Sequence, residues 1–104
     1  MKDMIKYEEA IIKALKTVFD PEIPVNVYDL GLIYSIDIKE SMDVDVEMTL
    51  TAPGCPMADY IVNEVKEKVE MCTDIKACTV NLTFEPAWDK DMMTEEAQLE
   101  LGML

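Results

Sequence analysis

Three short stretches of alternating apolar and polar residues, set between segments with helical periodicity, constrain the fold of this chain most strongly. Apolar side chains occupy every second position in residues 34–38, 44–51 and 78–84. Such alternation is typical of strands with one buried face and one solvated face. Because only residues 39–43 separate the first two stretches, they are predicted to form an antiparallel hairpin.

Two longer segments carry the apolar period of an amphipathic helix. Residues 3–19 and residues 56–71 each place one apolar stripe along a helix, with charged side chains elsewhere. The first helix is predicted to end before Pro21, because proline disfavours the helical conformation in the residue that precedes it.

A short terminal helix is predicted over 94–101, with Thr94 in a capping-box-like start and Gly102 at its end. The element order is then α-β-β-α-β-α. This order predicts an α+β fold, a two-layer sandwich whose helices pack on one face of a small three-stranded sheet. Residues 1–104 are expected to form a single domain, with 86–104 as a short C-terminal helical extension. The pattern leaves open whether the third strand pairs with the first or the second.

The charge of the chain limits the classes of partner. The 104 residues carry a formal net charge of −13, whereas nucleic acids and anionic membranes are bound through basic surfaces. We therefore expect no nucleic acid and no membrane as a partner, and a basic protein surface fits better. No apolar run approaches the roughly 20 residues that cross a bilayer, and residues 1–6 do not resemble a signal peptide.

The composition also limits the chemistry. The chain contains no histidine, which excludes Ser–His and Cys–His nucleophile pairs and His-ligated zinc. Its three cysteines are an odd number at irregular spacing and do not form a secreted disulfide framework. We expect a cytoplasmic protein with reduced thiols, and not an enzyme.

Cys55 is the residue whose chemistry the sequence visibly prepares. It stands directly before Pro56, and proline is favoured at the first position of a helix. As the N-cap, the Cys55 sulfur would lie beside unpaired backbone N–H groups, which favour the thiolate that binds metals. The alternative is a small buried hydrophobic residue, but the neighbours favour a tight turn: Thr51, Ala52, Pro53, Gly54 and Pro56.

Cys72 and Cys78 are interpreted as core thiols, because they fall on the apolar sides of the second helix and the third strand. A single thiolate cannot complete a tetrahedral metal–sulfur site. If Cys55 binds metal, the remaining ligands must come from a second subunit, a partner protein, a small thiol or nearby carboxylates.

The loop over residues 20–31 supplies such carboxylates. Asp20 and Glu22 flank a proline, and Asp29 precedes a glycine. Taken singly, each carboxylate is best explained by a helix stop or an Asx-type turn. A functional role requires the loop to lie beside Cys55. The hairpin makes this plausible, because the entry to its first strand and the exit from its second lie at the same end of a sheet.

Three segments together resemble a known family. They are residues 20–34, which begin Asp-Pro-Glu-Ile-Pro, the turn over 51–56, and the tail over 86–102. They resemble the metal–sulfur (iron–sulfur) cluster assembly factor family, which includes SufT-like and PaaD-like proteins. The resemblance implies a small α+β domain that helps to mature or deliver clusters. It also implies that Cys55 is the cysteine of the family's Thr-x-Pro-x-Cys-Pro turn.

The leading interpretation is an accessory factor in iron–sulfur cluster assembly or transfer to target proteins. Cys55 would be the transient ligand of iron or an iron–sulfur cluster, and Trp88 would serve packing or partner docking. The partners would be cluster-assembly machinery or apo iron–sulfur client proteins, and a homodimer would let two Cys55 thiolates share one cluster. The supporting residues would be Asp20, Pro21, Glu22, Asp29, Thr51, Pro53, Gly54 and Pro56.

Two alternatives stand beside this interpretation. In the first, the chain is a non-catalytic protein-interaction adaptor whose cysteine is incidental. In the second, Cys55 alone performs thiol-redox chemistry, although no C-x-x-C pair supplies a resolving cysteine.

Overall fold

The computed structural model describes residues 4–20, 23–51 and 58–102. Its helices and strands follow the predicted order, with one additional 3-10 turn before the terminal helix. The predicted α+β fold around a three-stranded sheet is confirmed. The elements are α1 (Met4–Leu15), β1 (Ile33–Ile38), β2 (Asp43–Met48), α2 (Ala58–Glu70), β3 (Ala77–Leu82), the 3-10 turn Lys90–Met92 and α3 (Glu95–Glu100).

The sheet is mixed, in the order β1-β2-β3. β1 and β2 form the predicted antiparallel hairpin, and β3 pairs with β2 in parallel, with Val46 opposite Val80. Parallel neighbours need a crossover connection, and α2 provides it between β2 and β3. The partner of the third strand, which the sequence left open, is therefore the second strand.

The hydrophobic core lies between the sheet and the two long helices. α2 packs against β3 and α1, and α1 also contacts β1. Alternate residues of β2 point into this core, and their neighbours point to the opposite, acidic face. The fully buried side chains of β2 and the two helices are Ile11, Leu15, Val44, Val46, Met48, Ile61, Val65 and Val69.

The first helix is shorter at its C-terminal end than predicted. α1 ends at Leu15, whereas the apolar period suggested a helix as far as residue 19. Val18 instead accepts a backbone hydrogen bond from the N–H of Val27 at 2.8 Å, and Phe19 forms an isolated bridge with Asn26. The loop after the helix folds back and takes these backbone groups, which an apolar pattern alone cannot reveal.

No helix within the three described ranges is long and apolar enough to cross a membrane.

Candidate functional site

The candidate site lies at the end of the sheet where β2 leaves for α2. Three backbone hydrogen bonds cross this end in series. Thr49 N–H donates to Leu32 C=O at 2.8 Å, Leu32 N–H donates to Val27 C=O at 3.1 Å, and Val27 N–H donates to Val18 C=O. The exit from β2, the entry to β1 and the segment after α1 therefore lie side by side, as the hairpin predicted.

The predicted thiolate ligand, Cys55, lies outside the described residues. Thr51, which is half-buried, and Ala58, which begins α2, are the described residues on either side of it. Five other predicted site residues also lie outside the described residues: Pro21, Glu22, Pro53, Gly54 and Pro56.

Asp20 is a buried carboxylate at this end of the fold, with only 5% of its surface exposed. Its Oδ1 accepts a hydrogen bond from Ile23 N–H at 3.2 Å, and its own N–H donates to Val25 C=O at 3.3 Å. A buried carboxylate requires such donors, and this arrangement is an Asx-type turn. The described contacts of Asp20 therefore fit the local, structural interpretation.

Asp29 likewise makes contacts that stabilise the turn before β1. Its Oδ2 accepts from Asn26 Nδ2 at 2.9 Å, and its N–H donates to Asn26 Oδ1 at 2.8 Å. Its carbonyl accepts from Thr94 N–H at 2.8 Å, at the start of α3. Asp29 thus joins the turn to the C-terminal segment, a contact that no local sequence pattern indicates.

Trp88 belongs to the same junction. Its indole Nε1–H donates to the carbonyl of Leu30 at 2.7 Å, and Leu30 is fully buried. Tyr34 supports this contact from β1, because its hydroxyl donates to Pro86 C=O at 2.7 Å. Trp88 is partly buried and packs against the core, and its role in partner docking stays a prediction.

Replacing Trp88 with phenylalanine tests this assignment. An aromatic ring remains, but it is smaller than the indole and the Leu30 carbonyl loses its donor, so we expect the free energy of unfolding to fall by at least about 1–2 kcal/mol. Urea unfolding followed by circular dichroism measures the change. Tyr34→Phe is the control, because its hydroxyl bond is exposed and should contribute less. Equal losses in the two variants would contradict a buried role for the indole.

Gly31 is a structural residue of this junction that the sequence identified only as the end of a loop. Its φ is +82°, and a Cβ at this position would collide with the main-chain carbonyl of Met92. Glycine is therefore required both by the backbone conformation and by the close approach of the C-terminal segment.

Thr49 departs from its expected place on a solvated strand face. It is fully buried, and its hydroxyl oxygen has no hydrogen-bond partner among the residues that the structure describes. Buried hydroxyls are normally paired, so Thr49 is an unusual polar residue at the exit from β2. Alternation predicts only which face a residue occupies, and it gave no sign of this burial.

The two described cysteines are held as protonated thiols. Cys78 is 2% exposed, and burial, assisted by the negative charge of Glu70, raises its pKa to about 11. Burial also raises the pKa of Cys72, whose Sγ lies 3.7 Å from the carbonyl oxygen of Ala10. Burial thus disfavours in both residues the thiolate that binds metals, in keeping with their predicted role as core thiols.

Within the described ranges, no group of three or more cysteine, aspartate or glutamate side chains is placed to hold a metal ion. These residues by themselves therefore do not form a complete metal centre.

Comparison with known proteins gives consistent matches along the chain. The profile of a family described as iron–sulfur cluster assembly protein matches residues 8–82. The chain is 57% identical over 102 residues to an Fe-S protein maturation auxiliary factor of Porphyromonas gingivalis, covering 98% of this chain and 97% of that protein. It is 37% identical over 86 residues to the Fe-S protein maturation auxiliary factor SufT of Staphylococcus aureus, covering 83% of this chain and 98% of that protein.

A solved structure extends the likeness to three dimensions. The crystal structure of a Bacillus anthracis protein, described as domain of unknown function DUF59, superposes with a TM-score of 0.89 at 33% sequence identity. The superposition covers 96% of this chain and 95% of the other. The match in fold therefore extends over nearly the full length of both chains.

Proposed function

Since the chain belongs to the iron–sulfur cluster assembly protein family, we propose that it is an accessory factor that helps to assemble clusters or transfer them to client proteins. The cluster is the cargo and not a resident cofactor. Cys55 binds an iron atom of the cargo through its thiolate for the duration of the transfer. The reaction is an exchange of ligands on iron, and no turnover of a small-molecule substrate is involved.

The burial of the other cysteines, partial for Cys72 and nearly complete for Cys78, is the observation that carries the choice of Cys55. The chain has three cysteines, and burial raises the pKa of both Cys72 and Cys78. Cys55 is the remaining candidate, and its position before Pro56 supports a lowered pKa. The names of the Porphyromonas and Staphylococcus relatives support maturation of iron–sulfur proteins as the process.

The remaining ligands of the cargo iron come from outside this chain or from the acidic loop. Asp20 and Glu22 belong to the loop over residues 20–31. Val27 of this loop is joined through Leu32 to Thr49, at the exit from β2 toward Cys55. A client protein, the assembly machinery or a second copy of the chain supplies the other thiolates. We place this exchange in the cytoplasm, where thiols remain reduced.

Anaerobic reconstitution with ferrous iron and sulfide, followed by transfer to an apo-ferredoxin, tests the proposal. The wild-type chain should develop the visible absorption of a thiolate-bound cluster and pass it to the acceptor. Cys55→Ala should lose both properties, because the chain then retains only the two protonated thiols. Absorption spectra and the rate at which holo-ferredoxin appears are the measurements.

Cys72→Ala is the matched control, because it also removes one thiol but not the proposed ligand. It should reconstitute and transfer as the wild type does. If Cys55→Ala and the wild type give identical spectra and transfer rates, the ligand role is wrong. Retained client maturation in a deletion strain carrying Cys55→Ser would favour the adaptor interpretation.

A further inference from the structure

The outer edge of β3 is a surface that the candidate site does not use. Thr83 N–H donates to Met48 C=O at 2.9 Å, toward β2, whereas Cys78 N–H donates to Glu70 Oε2 at 3.0 Å. Because backbone groups alternate in direction along a strand, the N–H groups of Val80 and Leu82 point away from β2, like that of Cys78. In the sheet that the described residues form, β3 is an edge strand.

Among the described residues, Glu70 closes the beginning of this edge and no other group is seen to close the rest. Glu70 occupies the N–H of Cys78, and Lys66 holds Glu70 in place through an ion pair of 2.6 Å. The hydrogen bond from Lys66 and the backbone N–H of Cys78 together lower the pKa of Glu70, so the carboxylate is charged at neutral pH. The section of the edge that can accept another strand therefore runs from Val80 to Leu82.

The side chains of β3 lack the features that normally protect an edge. The strand reads Ala-Cys-Thr-Val-Asn-Leu over Ala77–Leu82, without charge or proline, whereas exposed edges are usually blocked by lysine, proline or a bulge. Leu82 lies opposite Met48 on the core face of the sheet, yet 41% of its surface is exposed. An additional strand would cover this apolar surface.

The face of the sheet that points away from the core is acidic near β3, which favours basic side chains on an added strand. Asn81 lies beside Glu47 and Thr79 lies beside Asp45, and Asp37 lies across from Asp45 on β1. Lys39 forms an ion pair with Asp45 at 3.1 Å. A strand added to β3 would lie two strand spacings of about 4.8 Å from β2. Long lysine or arginine side chains extending across β3 would therefore point toward these carboxylates.

We propose that the Val80–Leu82 edge of β3 binds an extended segment of a partner protein by adding it to the sheet. Its side chains on the core side are apolar and cover Leu82, and its side chains on the other side are basic and extend over β3 toward Glu47 and Asp45. A second copy of β3 fits less well, because it offers no basic side chain and each copy has a net charge of −13. The proposal extends the function beyond Cys55 and does not depend on it.

A synthetic peptide of eight alternating valine and lysine residues is the probe, added to the full ¹⁵N-labelled chain. Binding should slow the hydrogen exchange of the Val80 and Leu82 amides and shift their resonances. Val80→Pro should weaken binding about tenfold. Proline has no N–H to donate to the added strand, and it disfavours the strand conformation that valine prefers. The N–H lost does not belong to the pairing with β2. Cys55→Ala should bind the peptide as the wild type does.

Two controls keep the test decisive even if Val80→Pro does not fold. The same peptide, methylated on every backbone nitrogen, retains its charged side chains but has no N–H on either edge and cannot pair with β3, so it should not bind. Glu47→Gln should weaken binding and reduce its dependence on salt. Equal binding of the methylated peptide, or resonance shifts away from β3, would overturn the proposal. A concentration-dependent dimer whose interface shifts map to Val80 and Leu82 would overturn the choice of partner.

Discussion

Gly31→Ala is expected to lower the free energy of unfolding by about 2–4 kcal/mol and to detach the C-terminal segment from the turn before β1. The backbone at Gly31 has a positive φ, and the new Cβ would meet the main-chain carbonyl of Met92. A carbonyl in the main chain cannot rotate away as a flexible side chain can. Relief therefore requires the segment that carries Trp88 and Thr94 to move.

Trp88 is the single tryptophan of the chain, so its fluorescence reports this movement directly. The emission of Gly31→Ala should shift to longer wavelength before global unfolding in urea, since the indole leaves its hydrogen bond to Leu30.

Gly102→Ala is the matched control. Gly102 also has a positive φ, of +75°, but no atom of the described residues lies within 4 Å of a Cβ placed there. Gly102→Ala should therefore lower the free energy of unfolding by about 1 kcal/mol, through the backbone conformation alone. If the two variants lose the same stability, the contact with Met92 is not what requires glycine at position 31.

The fold was largely predictable because its strands alternate cleanly and its helices carry one apolar stripe. The hairpin of β1 and β2 follows from the short separation of two such strands. The side on which β3 pairs depends on the path of α2 across the sheet, and a periodic pattern does not contain that path. The end of α1 was misplaced for a similar reason, since Val18 is apolar in either conformation and its partner, Val27, lies beyond a turn of the following loop.

The family resemblance was also confirmed. It could be recognised from the sequence because each of its motifs is a short run of consecutive residues, which can be read without knowing the fold. The roles of Asp29 and Trp88 were less accessible. Their described contacts, Asp29 to Thr94 and Trp88 to Leu30, connect residues more than fifty positions apart. The requirement for glycine at position 31 likewise depends on Met92, so composition around each residue could not reveal it. The burial of Thr49 was also not predictable, because alternation assigns its position to the solvated face of the strand.

The thiols provide the second large expected effect, in their reactivity with iodoacetamide. At pH 8, an ordinary cysteine with a pKa near 8.5 is about one-quarter thiolate, whereas a thiol with a pKa of about 11 is about one-thousandth thiolate. Cys78 should therefore react about two-hundredfold more slowly than a free cysteine, and limited access in the core will slow it further. Peptide mapping by mass spectrometry measures the rate at each of the three cysteines.

The pH dependence distinguishes protonation from simple inaccessibility. Because the pKa of Cys78 is raised, its reactivity should increase about tenfold per pH unit from pH 8 and level off near pH 11. The same shift means that the native state holds this proton more tightly than the unfolded chain. Its contribution to stability is complete below about pH 8.5 and is lost as the pH rises toward 11.

Cys55 should show the opposite behaviour, with rapid labelling at pH 7 and little further increase above it. Cys55→Ala should remove this fast phase and leave the slow labelling of Cys78 unchanged, which makes it the internal control. In 8 M urea, the remaining thiols should label alike, because burial no longer separates their pKa values. If Cys78 labels in the native state as fast as Cys55 at pH 8, its thiol is not held protonated by burial. The assignment of thiolate chemistry to Cys55 would then lose its main structural support.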